Sequence, residues 1–381
     1  MQSRERVRMA LGHQKPDRTP VDLGSTNVSS LHIEAYRKLL GLFGLEDKQI
    51  QFIDFAQQLV VPCEPLLQKL GVDTRALKMP GSKTKKIEFL CEDKSQYRDA
   101  WGIIWKKPPD GLYYDSVGNP LQAFDSLAEI ESYPWPDIDQ LCSEEGLSET
   151  ARRIYEESGC SIVGSCGGSI LMMGQDLRGY EQFLVDLMLE KEIAGYILDR
   201  VLALRLEMTK RFLRQAGEYV DVIKIADDLG GQDAPLISMD IFREMIKPRT
   251  EKLVRCIKEN SRAKVMYHCC GAMRPFIPDL IEIGVDILNP IQTQAAGMDP
   301  AELKREYGDR LVFWGGVDTQ QTLTKGSPAD VEKEVAERIS QMGFDGGYVA
   351  CASHNMQADV PPENIAAMIK QAKSSNQGEI L

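Results

Sequence analysis

The fold is decided by a short apolar run that ends in polar, metal-capable residues, Ala263-Lys264-Val265-Met266-Tyr267-His268-Cys269-Cys270-Gly271. Its first five residues have the length and composition of a buried β-strand. Because side chains at i and i+2 of a strand share a face, His268 and Cys270 point to one side and Cys269 to the other. An imidazole and a thiolate so placed form half of a zinc site, since Zn²⁺ prefers nitrogen and sulfur ligands. For this stretch alone, a core histidine beside two inert thiols is the alternative.

The same pattern of an apolar run followed by polar residues returns five more times. The runs occupy residues 161–165, 221–226, 285–288, 311–314 and 347–350, with helical patterns at 181–215, 241–260, 274–283, 328–341 and 362–373. Two more candidate strands, 21–24 and 71–77, bring the total to eight. Eight strands alternating with helices predict an α/β fold, a single (β/α)8 TIM barrel. No Gly-x-Gly-x-x-Gly motif opens a helix, which disfavours a dinucleotide-binding doubly wound sheet.

Two segments depart from this alternation. Residues 1–12 predict an amphipathic helix, an N-terminal extension with Val7, Ala10 and Leu11 on one side. Residues 80–140 are rich in charges, aromatics and prolines and predict an irregular β-rich insertion. A stretch of this kind is either a functional lid or a cover over one end of the core. We therefore expect one domain, 1–381, with an insertion or lid at 80–140.

The composition limits the classes of partner. The chain has 45 basic and 57 acidic residues, a net charge of −12. This disfavours nucleic acid, because phosphate binding relies on clustered Lys and Arg, and it disfavours a strongly anionic substrate unless basic residues are concentrated locally. No run approaches the roughly 18 apolar residues of a membrane span, and no secretory signal is visible. The nine cysteines are then expected to be reduced thiols in the cytoplasm.

The chemistry is expected where the strands end. The carboxyl ends of TIM-barrel strands meet at one mouth, which holds the active site. The residues that this topology brings together are Asp227, Asp228, His268, Cys270, Asn289, Gln292, Asp318, Cys351 and His354. A zinc site formed by His268 and Cys270 needs at least one more ligand, and the last strand offers both Cys351 and His354. We expect Asp227, Asp228 and His354 to be catalytic, and Asn289, Gln292 and Asp318 to contact substrate.

Several of these motifs together resemble the uroporphyrinogen decarboxylase superfamily. They are Arg4-Glu5-Arg6-Val7, Pro16-Asp17-Arg18-Thr19-Pro20, Asp227-Asp228-Leu229-Gly230, Pro235-Leu236-Ile237-Ser238, His268-x-Cys270-Gly271, Ile283-Gly284-Val285-Asp286-Ile287-Leu288-Asn289-Pro290 and Gly315-Gly316-Val317-Asp318. The resemblance spans nearly the whole chain, except residues 80–140, and implies a (β/α)8 barrel. Decarboxylases of this family use arginines near the first strand and no metal. Residues 21–27 here contain no arginine.

The other branch of the superfamily comprises methyltransferases that work with corrinoid proteins, including O-demethylase components. Their zinc is held by a His-x-Cys pair and by a cysteine after the last strand. The resemblance maps the pair onto His268 and Cys270 and the last ligand onto His354, with Cys351 three residues earlier. It implies zinc as a cofactor, a corrinoid (cobalamin) on a partner protein, and a small-molecule methyl donor or acceptor. The aromatic residues Trp101, Trp105, Tyr113 and Tyr114 suit a lid over an apolar substrate.

The expected function is therefore zinc-dependent methyl transfer between a small molecule, a methyl ether or a thiol, and a corrinoid protein. A metal-free decarboxylase on a smaller or different acid is the first alternative, with aspartates stabilising a protonated intermediate. A non-catalytic corrinoid- or tetrapyrrole-binding protein is the second. The sequence leaves open whether the chain forms a homodimer.

Overall fold

The computed structural model describes residues 1–81 and 87–374. Within these ranges the α-helices are α1 (Ser3–Leu11), α2 (Ile33–Leu42), α3 (Glu64–Leu70), α4 (Leu127–Ser132), α5 (Ile138–Leu141), α6 (Leu147–Ser158), α7 (Leu171–Arg178), α8 (Tyr180–Leu189), α9 (Lys191–Ala216), α10 (Met239–Ile241), α11 (Lys247–Asn260), α12 (Ile277–Glu282), α13 (Pro300–Tyr307), α14 (Thr322–Lys325), α15 (Pro328–Met342) and α16 (Pro362–Ser374). The strands are β1 (Leu31–His32), β2 (Gln51–Asp54), β3 (Leu59–Val61), β4 (Thr74–Lys78), β5 (Glu88–Phe89), β6 (Gln96–Arg98), β7 (Ile104–Lys106), β8 (Asp115–Gly118), β9 (Ser161–Ser165), β10 (Val222–Ala226), β11 (Lys264–His268), β12 (Ile287–Asn289), β13 (Val312–Trp314) and β14 (Tyr348–Val349).

The core of the fold is a curled sheet of parallel strands in the order β4-β9-β10-β11-β12-β13-β14. The segment around Val21 joins its two edges. On one side the Asp22 N–H donates to the carbonyl of Ala350 (3.0 Å), and on the other the Asp73 N–H donates to the carbonyl of Val21 (2.9 Å). This segment is the first of the eight predicted strands, so the sheet closes and the predicted (β/α)8 barrel is confirmed.

The interior of the barrel follows from strand alternation. Residues that point to the axis form one apolar cluster, separate from the larger core between strands and helices. Its members are Val7, Ala10, Leu11, Val163, Val222, Met266, Ile287, Val312, Trp314, Val349 and Cys351. The first three belong to α1, which bonds to Gly159 and Gly347 just before β9 and β14. The predicted N-terminal helix therefore plugs the amino end of the barrel and leaves the carboxyl end for the site.

The insertion at 80–140 contains the predicted β-structure. Strands β5 to β8 form a four-stranded antiparallel sheet, in which β6 and β7 make a hairpin. Tyr97 and Trp105 stack across this hairpin with ring centroids 6.2 Å apart, and the indole N–H of Trp105 donates to Asp99 (2.9 Å). A second small sheet, β1-β3-β2, was not predicted, because its strands are two to four residues long.

Two predicted helices are divided in the structure. The pattern at 181–215 is two helices, α8 and α9, because Glu190 leaves the helical conformation (φ −122°, ψ 56°). The pattern at 241–260 begins with a π-helical turn, Phe242–Ile246, before α11. Periodicity alone misses both breaks, since the apolar residues continue through them at helical spacing. None of the helices in the described part of the chain combines the length and apolar character needed to cross a membrane.

Candidate metal centre

Three metal-capable side chains meet at the carboxyl end of the barrel. The ligand atoms of His268, Cys270 and His354 all lie within 4.8 Å of one another. His268 is the last residue of β11, and Cys270 follows it by the two-residue period of a strand, so both side chains point to the axis. His354 comes from the bend after β14, and its ring centroid lies 5.7 Å from that of His268. The sequence-based group of His268, Cys270 and His354 is thus one cluster in the structure.

The orientation of His268 is set by Asn289 on the neighbouring strand. The Asn289 side-chain N–H donates to the carbonyl of Trp314 (2.9 Å), so its amide oxygen faces His268 as an acceptor. Nδ1 of His268 lies 2.6 Å from that oxygen and must therefore carry the proton. Nε2 is left with its lone pair directed at the cluster, 3.4 Å from the Cys270 sulfur. This is the outer-shell support that metal-binding histidines ordinarily have.

The protonation states are shaped by burial. Burial lowers the pKa of His268 well below its usual value and lowers that of His354 as well, so both rings are neutral, as a metal ligand requires. Burial and the nearby carboxylate of Asp228 raise the pKa of the Cys270 thiol. A thiolate at Cys270 thus needs a positive charge close to the sulfur, which a bound divalent cation would supply.

The donor types fit zinc, and so does the separation of His268 from Cys270. Ligand distances of about 2.05 Å for nitrogen and 2.3 Å for sulfur give a nitrogen–sulfur edge of about 3.6 Å in a regular tetrahedron. The observed separation of Nε2 and Sγ is 3.4 Å. Two imidazoles and one thiolate leave a fourth position for substrate, as in catalytic rather than structural zinc sites.

Cys351, the other candidate from the last strand, lies elsewhere. Its side chain is 1% exposed within the apolar cluster of the barrel interior. The thiol donates to the carbonyl of Ala352 (3.2 Å). The strand continues its alternation through Ala352 before the chain bends, and the bend carries His354 to the mouth. This geometry leaves Cys351 out of the cluster and His354 in it.

The backbone loop that carries Cys270 is held from both sides. Asp228 accepts the N–H of Cys270 (3.0 Å), and Gln292 accepts the N–H of Gly271 (2.8 Å). Gly271 has a φ of +79°, and a Cβ there would lie 2.3 Å from the carbonyl oxygen of Gly230. The glycines of the two motifs therefore allow two loops to pack backbone against backbone. Cys269 points away, 1% exposed among the helices, as strand alternation predicts.

Two other predicted site residues act as caps on helix N-termini. The carboxylate of Asp227 accepts the N–H groups of Ile170 and Met172, each at 3.0 Å, at the start of α7. Burial, together with a smaller contribution from Asp228, raises its pKa to about 7 against these hydrogen bonds. Asp318 accepts the N–H groups of Gln320 (2.9 Å) and Gln321 (3.0 Å) before α14. Three residues were expected to contact substrate. Gln292 and Asp318 border a cavity, whereas Asn289 forms a hydrogen bond with His268.

Two cavities meet at His354. The larger, about 800 Å³, is lined by His268, Asp228 and three aromatic residues of the insertion, Trp101, Trp105 and Tyr114. The smaller, about 690 Å³, is lined by Tyr113 on the side of the insertion. The aromatic residues of the insertion thus line the two cavities next to the metal-capable cluster.

Two residues of the larger cavity were missed from the sequence. Lys78 on β4 and Lys224 on β10 both line its wall. The available signal was a lysine at an inward-facing position of an otherwise apolar strand. Lysine is rare at such a position unless a partner or a ligand offsets the cost of burying its charge.

Comparison with known proteins agrees with the barrel and its motifs. The family model described as "Uroporphyrinogen decarboxylase (URO-D)" matches residues 117–375. A uroporphyrinogen decarboxylase of Legionella pneumophila (strain Corby) is 23% identical over 375 residues, 95% of this chain and 94% of its own length. One from Alkalilimnicola ehrlichii is 24% identical over 378 residues, 96% of this chain and 92% of its own length.

The solved structures include a similar fold. A methyltransferase from Methanosarcina mazei superposes with a TM-score of 0.68 at 19% sequence identity, covering 98% of each chain. At that identity the likeness supports the fold alone. Because the family model matches residues 117–375, the chain belongs to the uroporphyrinogen decarboxylase (URO-D) family.

Proposed function

We propose that this chain is a zinc-dependent methyltransferase that moves a methyl group between a small molecule and a corrinoid carried by a partner protein. The observation that carries the proposal is the cluster of His268, Cys270 and His354, whose ligand atoms lie within 4.8 Å of one another at the barrel mouth. The structural likeness to the Methanosarcina mazei methyltransferase supports the choice of reaction class. The methyl donor or acceptor is a methyl ether or a thiol.

His268, Cys270 and His354 would hold the zinc and leave one position for the heteroatom of the substrate. Bound there, zinc supplies Lewis acidity, which lowers the pKa of a thiol or polarises an ether oxygen. The remaining contributions to the reaction come from side chains that orient the ligands. Asn289 keeps Nδ1 of His268 protonated, so that Nε2 stays available as a ligand.

The surroundings of the cluster suit transfer of a group that water would otherwise intercept. Trp101, Trp105 and Tyr114 narrow the larger cavity on its lid side. The indole N–H of Trp105 is held by Asp99 (2.9 Å), which keeps the ring in place. In the direction of thiol methylation, the substrate thiolate would displace the methyl group from the partner protein's corrinoid, which would keep the electron pair of the broken carbon–cobalt bond. In this proposal the corrinoid approaches the cluster through the second cavity at His354.

A decarboxylase is the second candidate. The curated relatives carry that name, and three cationic side chains, Lys78, Arg205 and Lys224, line the larger cavity, where an acid substrate would find positive charge. A thiol that converges with two neutral imidazoles matches the ligand preference of Zn²⁺, so the cluster favours metal-assisted methyl transfer. Binding of a corrinoid without turnover is the third possibility. It would not explain why three metal-capable side chains converge.

The test is anoxic turnover of methylcobalamin with a panel of small thiols by the zinc-loaded protein. We expect loss of the methyl–cobalt absorbance with the wild type and none with the His268→Ala, Cys270→Ala double variant. Cys269→Ala is the matched control, because this neighbouring thiol points away from the cluster. Metal-independent turnover of uroporphyrinogen, with no demethylation of methylcobalamin, would contradict the proposal and favour the decarboxylase.

A further inference from the structure

Lys78 and Lys224 stand at one level of the barrel with Ser165 between them. Lys78 is in register with Ser165 on β9, and Ser165 is in register with Lys224 on β10. Since neighbouring strands lie about 4.8 Å apart, the two lysines begin about 10 Å from each other. All three residues line the larger cavity. Two long side chains this far apart can converge on one small group held between them.

The two ammonium groups retain unused donors. Lys224 donates to the side-chain oxygen of Asn27 (2.8 Å), and Lys78 donates to the carbonyl of Ile53. Each ammonium has three N–H donors, so two remain on each. Within residues 1–81 and 87–374, neither lysine forms an ion pair with a carboxylate. The hydroxyl of Ser165 is also buried, with no hydrogen-bond partner among the described residues.

The acidic groups that face these lysines do not cancel their charge. Asp54 reaches Lys224 only through Asn27, whose N–H lies 3.4 Å from the carboxylate. Asp228 faces the same space but is joined to the N–H of Cys270. Burial lowers the pKa of Lys224 to about 8, the direction expected for a cation short of negative partners. Asp99, Asp176 and Arg205 also line the cavity. Asp99 and Arg205 offset each other, and burial raises the pKa of Asp176 to about 7, so that this carboxyl is neutral below that pH. With zinc and the Cys270 thiolate counted, two lysines and the metal then exceed Asp54, Asp228 and the thiolate by one positive charge.

We propose that Lys78, Ser165 and Lys224 bind the carboxylate of the small-molecule substrate, which holds that substrate beneath the metal-capable cluster. The proposal rests on the proposed function and adds to it a substrate class, a short thiol acid or methoxy acid. It also reconciles an anionic substrate with a chain of net charge −12, because the positive charge is concentrated in one cavity. A single negative charge matches the excess, so a dianionic phosphate fits less well.

The register sets the length of that substrate. Lys224 precedes Ala226 by two residues, and Ala226 is in register with His268. One such step along a strand is about 7 Å. The carboxylate and the reacting heteroatom are therefore separated by only a few bonds, as in 3-mercaptopropionate.

The test is calorimetric titration of the zinc-loaded protein with 3-mercaptopropionate and with its neutral counterpart 3-mercapto-1-propanol. We expect the acid to bind the wild type about 10- to 100-fold more tightly, since a hydrogen bond to a charged group contributes that range of affinity. Lys224→Met and Lys78→Met should each remove most of this preference, and Lys224→Arg should restore part of it. Lys264→Met is the matched control, because it lies on the adjacent strand at the amino end of the barrel.

Several results would overturn the carboxylate site. They are equal binding of the two thiols by the wild type, undiminished preference in both methionine variants, or tighter binding of 3-mercaptopropane-1-sulfonate than of the carboxylate. Thermal unfolding of each variant shows that it is folded before it is titrated. The quenching of Trp101 and Trp105 fluorescence by 3-methoxypropionate is measured on metal-free protein. If the metal-free protein binds the carboxylate but the zinc-loaded form transfers no methyl group, the proposed function is refuted and the carboxylate site is not.

Discussion

Replacing Asn289 by alanine should weaken zinc binding without removing any ligand. The side chain of Asn289 holds Nδ1 of His268 at 2.6 Å and is itself held by the carbonyl of Trp314 at 2.9 Å. Asn289→Ala removes both bonds and frees the imidazole to rotate or change tautomer. Loss of an outer-shell partner of this kind weakens metal binding by about 10- to 100-fold, which corresponds to about 1.4 to 2.7 kcal/mol.

The same change also costs stability, so a control must separate the two effects. Leaving a buried donor and a buried acceptor without partners costs about 1–3 kcal/mol of unfolding free energy. Asn364 is the matched control: it is 1% exposed and donates to the carbonyls of Leu323 and Gly326. Asn364→Ala should lose similar stability in urea melts but keep its zinc affinity. Asn289→Asp keeps an acceptor for His268 and should retain zinc.

The assay is competition for zinc with a chromophoric chelator, performed on wild type and on the three variants. The reasoning predicts that affinity falls in Asn289→Ala only. Equal zinc affinity in Asn289→Ala and wild type would refute the role of this hydrogen bond. A parallel loss in Asn364→Ala would show that the effect comes from general destabilisation.

Three further predictions concern the frame of the site. Arg6→Met should cost about 1–3 kcal/mol of unfolding free energy in urea melts, because it removes a 2.7 Å ion pair to the buried carboxylate of Asp73, which keeps Arg18 as its second partner. The control Arg98→Met, which breaks the exposed Arg98–Glu88 pair, should cost less than about 1 kcal/mol. Asp227 has a pKa raised to about 7, so its native carboxyl binds a proton that the unfolded chain releases near pH 4. Its contribution to stability is thus complete below pH 4 and lost as pH rises through about 7; Asp227→Asn should flatten this part of the measured pH–stability curve, and an unchanged slope would disprove the assignment. Gly271→Ala and Gly297→Ala share the strain of a positive φ, but only the first drives a Cβ to 2.3 Å from a backbone oxygen. Gly271→Ala should therefore lose more thermal stability in calorimetry than Gly297→Ala, and it should also lose zinc affinity in chelator competition. Equal losses in the two variants would contradict the close packing of the two loops.

The barrel and the centre of the site follow from local patterns. The two-residue period of a strand is enough to send His268 and Cys270 one way and Cys269 the other. It also accounts for Cys351, which alternation along the last strand points into the barrel interior. The sequence pattern did not show how soon after Ala352 the chain bends. That bend brings His354, and not Cys351, into the metal-capable cluster.

The functions of the aspartates and lysines depended on contacts between distant elements. Asp227 ends a strand like a catalytic residue but caps α7, a helix more than fifty residues earlier in the chain. Lys78 and Lys224 become neighbours of one cavity only through the register of β4, β9 and β10. Sequence spacing places residues on a face of a strand, while the pairing of strands decides which faces meet.

The central claim is tested most directly by counting metal in the purified protein. Inductively coupled plasma mass spectrometry of wild type, after zinc exposure and removal of free metal, should find one zinc per chain. The His268→Ala, Cys270→Ala double variant and His354→Ala should lose it, while Cys351→Ala should keep it. A folded wild type without stoichiometric zinc, or a Cys351→Ala variant that loses it, would contradict the account.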